Sequence, residues 1–204
     1  MRKLQYIIKR IIDITISIFV LILLFPLLLI IAVLIKITSP GPVFFIQERI
    51  GKDGKPFNLI KFRTMVAGAD RLTKGVHIDN SNPYITKIGK FLRKWSIDEI
   101  PELINVLRGE MSIVGPRPTL RYQVEKYNDF QRRRLLVKPG LTGWAQVNGR
   151  NAIPWAKRIE LDVWYVDNWS LWLDIKIMFR TIGVIFKGDE APIEEDEIVK
   201  GEGR

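Results

Sequence analysis

The sequence predicts an α+β protein, dominated by helices and embedded in a membrane through its N-terminus. Three observations predict it. The run from Ile14 to Ile35 is almost wholly apolar, with Thr15 and Ser17 its only polar interruptions. Two short β-type stretches flank a turn at Lys52-Asp53-Gly54-Lys55. Apolar residues then recur at helical spacing in Ile100, Leu103, Ile104 and Leu107, and again from Leu171 to Phe186.

As one straight helix the apolar run is roughly 33 Å long, against a hydrocarbon core of about 30 Å. A cleaved signal peptide fits poorly, because no small-residue cleavage site follows and the stretch is too long. Arg2, Lys3, Lys9 and Arg10 precede it; Lys36, Arg49, Lys52, Lys55, Lys61 and Arg63 follow. A spanning helix carries its basic bias on the cytoplasmic side alone. Pro26 stands mid-run, where it breaks the helical ladder at about 3 kcal/mol unless a kink is wanted. Each arm beside it reaches roughly 15–18 Å, half the core. Charge and proline thus favour a helix that enters the membrane, bends at Pro26 and leaves by the same face. A plain span with a tolerated proline is the alternative.

Pro40-Gly41-Pro42 closes this segment. Val43 to Gln47 and Phe57 to Phe62 read as the strands of a small hairpin. Met65 to Tyr84 is polar and turn-rich, a mobile loop or short helices, and holds His77 as a solvated residue. Lys87 to Trp95 leads into a helix beginning near Asp98. Leu120 to Val137 reads as one helix with Arg132-Arg133-Arg134 near its end, either an anion-facing surface or a dipole-compatible terminus. Lys138-Pro139-Gly140-Leu141-Thr142-Gly143-Trp144 is a loop, and Ala156 to Val166 a helix. The stripe of Leu171, Trp172, Ile175, Met178, Phe179, Ile182, Ile185 and Phe186 fits an interfacial helix on the bilayer as well as a core helix.

Composition narrows the chemistry. The absence of cysteine excludes disulfides and thiolate metal sites, and a single histidine excludes a poly-histidine site. A formal net charge of +10 calls for an anionic partner: nucleic acid, acidic lipid or phosphorylated substrate. Against that charge stands the pair Asp98-Glu99. With Asp98 at or near the helix cap, Pro101 falls in the first turn, where its missing N–H is not needed. The helix dipole there favours both ionised carboxylates. Such a pair is a cap, a metal ligand or a nucleophile. Lys61 and Arg63 follow a strand, Arg93 stands just upstream of the pair, and Arg117 and Arg150 sit in Gly/Pro-rich turns suited to phosphate. No Walker or Gly-x-Gly-x-x-Gly sequence is present. An acidic pair among arginines beside a membrane suggests phosphoryl transfer with a divalent cation, an Asp attacking phosphorus.

The chain resembles the bacterial sugar transferase family, the monotopic phosphoglycosyl transferases, from about Tyr6 to Lys187. The resemblance is carried by Lys9-Arg10-Ile11-Ile12-Asp13, by Gly41 to Gly51, and by Lys61-Phe62-Arg63-Thr64-Met65. It continues through Asp98-Glu99-Ile100-Pro101, Val114-Gly115-Pro116-Arg117-Pro118 and Lys138 to Trp144. It implies transfer of a sugar 1-phosphate from a UDP-sugar to a polyprenyl phosphate at the cytoplasmic leaflet of the bacterial inner membrane. It also implies the re-entrant helix. On the same resemblance Asp98 is the nucleophile, and Glu99 its partner in binding Mg²⁺ or moving protons. Lys61, Arg93 and Arg150 handle phosphates and nucleotide; Arg63, Arg117 and Gln146 complete the substrate-binding candidates. Asp174 matches a polar position for which a structural ion pair is the plain explanation. Three departures stand out: Phe25 before Pro26 where the family often has serine, Trp95 for a small polar residue, and Tyr84 where arginine is common.

The expected organisation is a re-entrant membrane helix over residues 1–38, a continuous catalytic domain on the cytoplasmic face over 39–188, and a disordered acidic tail over 189–204. A rival class is a non-catalytic anchor whose basic face holds acidic lipid or nucleic acid. Nucleic acid is not an expected partner, since most aromatics lie in apolar stripes rather than among the basic residues. A membrane phosphate-ester hydrolase is the rival enzyme. Sugar identity and oligomeric state are not legible.

Overall fold

The structure is a computed structural model that describes residues 2–69, 82–149 and 152–187; His77, Arg150 and the acidic tail lie outside them. Helix α1 (Arg2–Thr38) runs through the apolar segment, with Pro26 inside it. It is long and apolar enough to cross a membrane. The middle of α1 is bare: Ile22, Leu23, Phe25, Leu29 and Ile30 are all exposed.

Both ends of α1 pack against the rest of the chain. Towards the N-terminus, Ile16, Val20 and Leu21 lie against the main core of Leu59, Leu103, Val106, Met111, Val114, Tyr165 and Ile177. Towards the C-terminus, Ile31 and Ile35 join a separate cluster with Phe62 and Leu92. The N-terminal arm is held by polar groups as well. Asp13, buried, accepts from Ser112 Oγ at 3.1 Å and Ile113 N at 2.9 Å. Lys9 Nζ reaches Asp174 at 2.7 Å and the Val114 carbonyl at 3.0 Å. Arg10 donates to the carbonyls of Val106 and Leu107, a cation placed where it complements the dipole at the C-terminus of a helix.

Strands β1 (Phe44–Ile50) and β2 (Pro56–Phe62) form the expected antiparallel hairpin. Helix α2 (Lys87–Lys94) is capped by Thr86, whose hydroxyl accepts from Gly89 N at 3.0 Å. Gly89 is required there, because a Cβ would stand 2.0 Å from the Thr64 carbonyl. A short turn (Ile97–Glu99) precedes helix α3 (Glu102–Arg108). Strand β3 (Ser112–Val114) is followed by the short helices α4 (Arg121–Glu125) and α5 (Asp129–Arg132). Strand β4 (Gly140–Thr142), a one-turn helix α6 (Trp144–Val147), α7 (Trp155–Asn168) and α8 (Leu171–Lys187) complete the described elements.

Three expectations are corrected. The Leu120–Val137 stretch is not one helix. Asn128 Oδ1 accepts from Gln131 N, and the Asn128 backbone N–H donates back to Gln131 Oε1, a capping box that restarts the helix at Asp129. Its arginines do not form an anion-facing surface: Arg134 is buried against Asp162, Tyr127 and the Arg117 carbonyl, and Arg133 pairs with Asp167. The stretch from Lys138 to Trp144 is not only loop, because Gly140 to Thr142 pairs in parallel with Ser112 to Val114. That pairing brings backbones unusually close. A Cβ on Gly115 would lie 2.4 Å from the Lys138 carbonyl, and one on Gly143 2.2 Å from the Gly115 carbonyl. The glycines of the two turn motifs are therefore space requirements for one another.

The core face of α8 lies outside the stripe read from sequence. Leu173 and Ile177 are buried in the core, while Trp172, Phe179 and Ile182 are exposed. Asp174 accepts from Tyr165 Oη at 2.6 Å and Trp169 Nε1 at 3.1 Å besides Lys9, so its role is structural, tying α8 to α7 and α1.

Candidate active site

Helix α2 ends at Lys94 with Trp95 as its C-cap, and Ser96 adopts a left-handed conformation, φ 54°. The reversal places Asp98 and Glu99 in the turn before α3 rather than in its first turn. Pro101 is the N-cap of α3, so the proline stands where no N–H is needed, but the helix starts later than its apolar spacing suggested.

Lys61, on β2, meets this turn from the sheet. Its Nζ is 2.7 Å from Glu99 Oε1 and 3.0 Å from Glu102 Oε1. Arg117, half-exposed in the turn after β3, grips Glu99 from the other side, Nη2 to Oε1 at 2.6 Å and Nη1 to Oε2 at 3.4 Å. Burial alone would raise the Glu99 pKa, but Arg117 and Lys61 outweigh it and hold the carboxyl well below its ordinary value. Glu99 is a fixed carboxylate.

Asp98 differs. It is buried, and among the described residues no hydrogen bond or ion pair holds its carboxylate. Burial first, and the neighbouring Glu99 charge second, push its pKa up; Lys61, Arg93 and Arg117 oppose without prevailing. The expectation that the dipole favours both ionised forms is thus corrected for Asp98. Desolvation wins over a dipole whose helix begins downstream.

Arg93, on the inward side of α2, donates from Nε to Thr64 Oγ1 at 2.9 Å and contributes positive field at Asp98. Arg63 is placed elsewhere. Its guanidinium donates to the carbonyls of Pro40 at 2.6 Å and Ser39 at 2.7 Å, closing the end of α1. Arg63 lies just past the end of β2, and in this structure its guanidinium is engaged by backbone at the end of α1 rather than by the acidic cluster around Lys61. Gln146, on α6, has both amide atoms buried without a hydrogen-bond partner among the described residues, next to Gly143.

Two residues of the cluster were missed. Glu102, 2% exposed, shares Lys61 with Glu99, and burial drives its pKa up to about 7. Its signal was a third acid, directly after Pro101, hidden by its resemblance to an ordinary first-turn residue. Arg49 donates to Gln47 Oε1 at 2.6 Å, keeps a buried Nε unpaired, and is lowered to about 10 by burial and by Arg117. The cluster thus joins three carboxylates to Lys61, Arg49, Arg93 and Arg117.

Mg²⁺ takes oxygen ligands, commonly one or two carboxylates completed by substrate phosphates. Asp98 has oxygens to offer such an ion, whereas those of Glu99 are engaged by Lys61 and Arg117. The donor set fits a cation that arrives with a diphosphate, not one caged by protein alone.

Comparison with known proteins shows the family of the chain. Residues 4–188 match the bacterial sugar transferase family. An uncharacterized sugar transferase, EpsL, of Bacillus subtilis is 50% identical over 176 residues, 86% of either chain. The UDP-glucose:undecaprenyl-phosphate glucose-1-phosphate transferase of Escherichia coli is 45% identical over 88% of this chain and 40% of its own length. The undecaprenyl-phosphate galactose phosphotransferase of Salmonella typhimurium is 40% identical over 90% of this chain and 41% of its own length. The chain thus spans about two fifths of these two longer relatives. By family match and by coverage of the Bacillus relative, the chain belongs to the bacterial sugar transferases.

Proposed function

We propose that this chain transfers a sugar 1-phosphate from a UDP-sugar to a polyprenyl phosphate of the undecaprenyl type, releasing UMP. The reading rests on one contrast: Asp98 is buried and, among the described residues, unbonded, while Glu99 beside it is fixed by Lys61 and Arg117. A carboxylate with no partner to lose is available to attack. Asp98 Oδ attacks the sugar-bearing phosphorus, and the bond from that phosphorus to the bridging oxygen breaks, so that UMP leaves. An oxygen of the polyprenyl phosphate then attacks the same phosphorus. The Asp98–phosphorus bond breaks, the carboxylate is regenerated, and a polyprenyl-diphosphate sugar departs. The sugar–oxygen bond is untouched, so anomeric configuration is retained.

The chain's own residues carry the supporting work. Lys61 and Arg117 keep Glu99 ionised and oriented, and Arg93 supplies positive field where the diphosphate would lie. Of the expected Mg²⁺ pair, Asp98 would hold the ion together with substrate phosphates while Glu99 stays engaged by Lys61 and Arg117; the ion, when bound, would neutralise diphosphate charge and ease departure of UMP. The rival non-catalytic anchor is set aside by the family match, whose named relatives are transferases.

The same reading includes a re-entrant α1 at the cytoplasmic face of the inner membrane. It is supported by the packing of both ends of α1 on one body while the middle exposes only apolar side chains. A span with its first residues on the far side would have to strip Lys9, Arg10 and Asp13 of their partners. The deciding experiment is UMP release over a panel that includes UDP-glucose and UDP-galactose, with and without polyprenyl phosphate. A covalent route gives parallel double-reciprocal lines. Intersecting lines would replace it with direct attack by the lipid phosphate.

A further inference from the structure

Arg117 stands between two prolines, Pro116 and Pro118, neither of which has a backbone N–H to give. The turn that presents its guanidinium to Glu99 is therefore held through its carbonyls. The Pro116 carbonyl accepts from Gly140 N at 2.9 Å, and the Thr119 carbonyl from Ile50 N at 2.9 Å. The Pro118 carbonyl receives a long bond, 3.4 Å, from Arg49 Nη1. The carbonyl of Arg117 itself accepts from Arg134 Nη2 at 3.1 Å. A cleft of about 200 Å³ opens beside the turn, lined by Pro116, Arg117, Arg134, Leu135, Val137 and Pro139. On that side, hydrogen bonds rather than close packing fix the backbone of Arg117.

Arg134 is fixed in its turn. It lies in the single turn after α5 (Arg133–Leu136), is buried, and pairs through Nη2 with Asp162 of α7. Its Nη1 donates to Tyr127 Oη at 2.6 Å, and its guanidinium lies over the rings of Tyr127 and Trp155 at 5.7 and 5.6 Å. The two hydrogens of Nη2 are thus divided between the Asp162 carboxylate and the Arg117 carbonyl. A planar fork serves three acceptors in fixed directions, whereas a lysine ammonium is a point charge on a flexible stem. Stability does not require the pair, since well-packed apolar residues of similar volume often replace a buried ion pair without loss. The bond to Arg117 is what apolar residues cannot supply.

We propose that Arg134 is a positioning residue of the transfer reaction. Held by Asp162, it fixes the Arg117 backbone and so the angle at which the Arg117 guanidinium meets Glu99. The proposal rests on the reading that the chain releases UMP from a UDP-sugar. The route is continuous, from Asp162 to Arg134, from Arg134 to the Arg117 carbonyl, and from Arg117 Nη2 to Glu99 Oε1 at 2.6 Å. It ties α7, which carries none of the acidic cluster, to the orientation of Glu99.

Arg134→Met combined with Asp162→Leu removes the pair without stranding a buried charge. Arg134→Lys keeps the charge but offers one nitrogen where the fork offers two. Tyr127→Phe is the control, since it disturbs the same buried node and leaves the Arg117 bond in place. Both Arg134 variants should lower kcat/KM for UMP release about tenfold or more, chiefly through KM for the UDP-sugar, with a cooperative thermal transition retained. Tyr127→Phe should stay within about twofold of wild type. In an Arg117→Ala background the Arg134 substitutions should add less than about twofold, because the group they position is gone. The same cycle is read without turnover as the affinity of Asp98→Asn proteins for the UDP-sugar that wild type uses. Additive losses, a folded Arg134→Lys protein with wild-type kcat/KM, or a Tyr127→Phe loss equal to that of the Arg134 variants each overturns the positioning role. A wild-type protein that releases UMP from no UDP-sugar of the panel overturns the transfer reading, and this proposal with it.

Discussion

At the scale of single residues, adjacent carboxylates have opposite characters because of what reaches them. Asp98→Asn is nearly isosteric and removes the attacking oxygen's charge. UMP release should fall by at least a thousand-fold, with circular dichroism and thermal midpoint unchanged; wild-type turnover in a folded variant would end the nucleophile assignment. Glu102 yields a prediction in pH. Its pKa of about 7 lies above the ordinary 4.5, so the folded state binds its proton more tightly. Stability attributable to this group is therefore full below pH 4.5 and declines as pH rises through 7. Glu102→Gln should be isoenergetic with wild type in acid and more stable by about 1–3 kcal/mol at pH 8. A stability difference independent of pH would show that Glu102 ionises freely. The acidic pair itself was legible from its place beside Pro101 and among arginines. Which of the two is free was not, because that depends on Lys61 and Arg117, distant in sequence and brought in by the hairpin and by β3.

At the scale of elements, local pattern read the hairpin correctly. Strand alternation and the Lys52–Lys55 turn are short-range signals. It misread the Leu120–Val137 stretch, since helical composition does not reveal the reciprocal Asn128–Gln131 cap that divides it. It could not see the β3–β4 pair either, whose three-residue strands meet only through tertiary contact. Gly140→Ala tests that contact. The new methyl would stand 2.1 Å from Gly115 N, against backbone that cannot yield without moving Arg117. A loss of about 1–3 kcal/mol is expected from overpacking, with a weaker hold on Glu99 read as a higher KM for the UDP-sugar. Unchanged stability would mean that the two turns are not locked together.

At the scale of the whole molecule, α1 is an integral part of the fold rather than a tether. The apolar run, its basic flanks and Pro26 were legible from sequence. The partners of Lys9, Arg10 and Asp13 were not, for they lie in α3, β3 and α8. Single cysteines near Lys3 and near Lys52 should both react only from the cytoplasmic side in intact cells. Pro26→Ala, which restores the missing backbone bond, should shift part of the population to a full span and expose the Lys3 site outside. External labelling of that site in the wild-type background would restore the plain span.

The polar clasp on α1 also has a clock in it. Lys9, Arg10 and Asp13 find their partners roughly 100 residues downstream. At a synthesis rate of about 5–20 residues per second, the N-terminal arm waits on the order of 5–20 s before Ser112 and Val114 exist to receive it. During that interval its charges must stay in water or headgroups, so the first arm cannot complete its seat while the ribosome is still making the hairpin. On the re-entrant reading, insertion of this chain is thus finished from behind. Nascent chains arrested before residue 112 should remain open to protease at Lys9 and Arg10, and those arrested well beyond α8 should be closed.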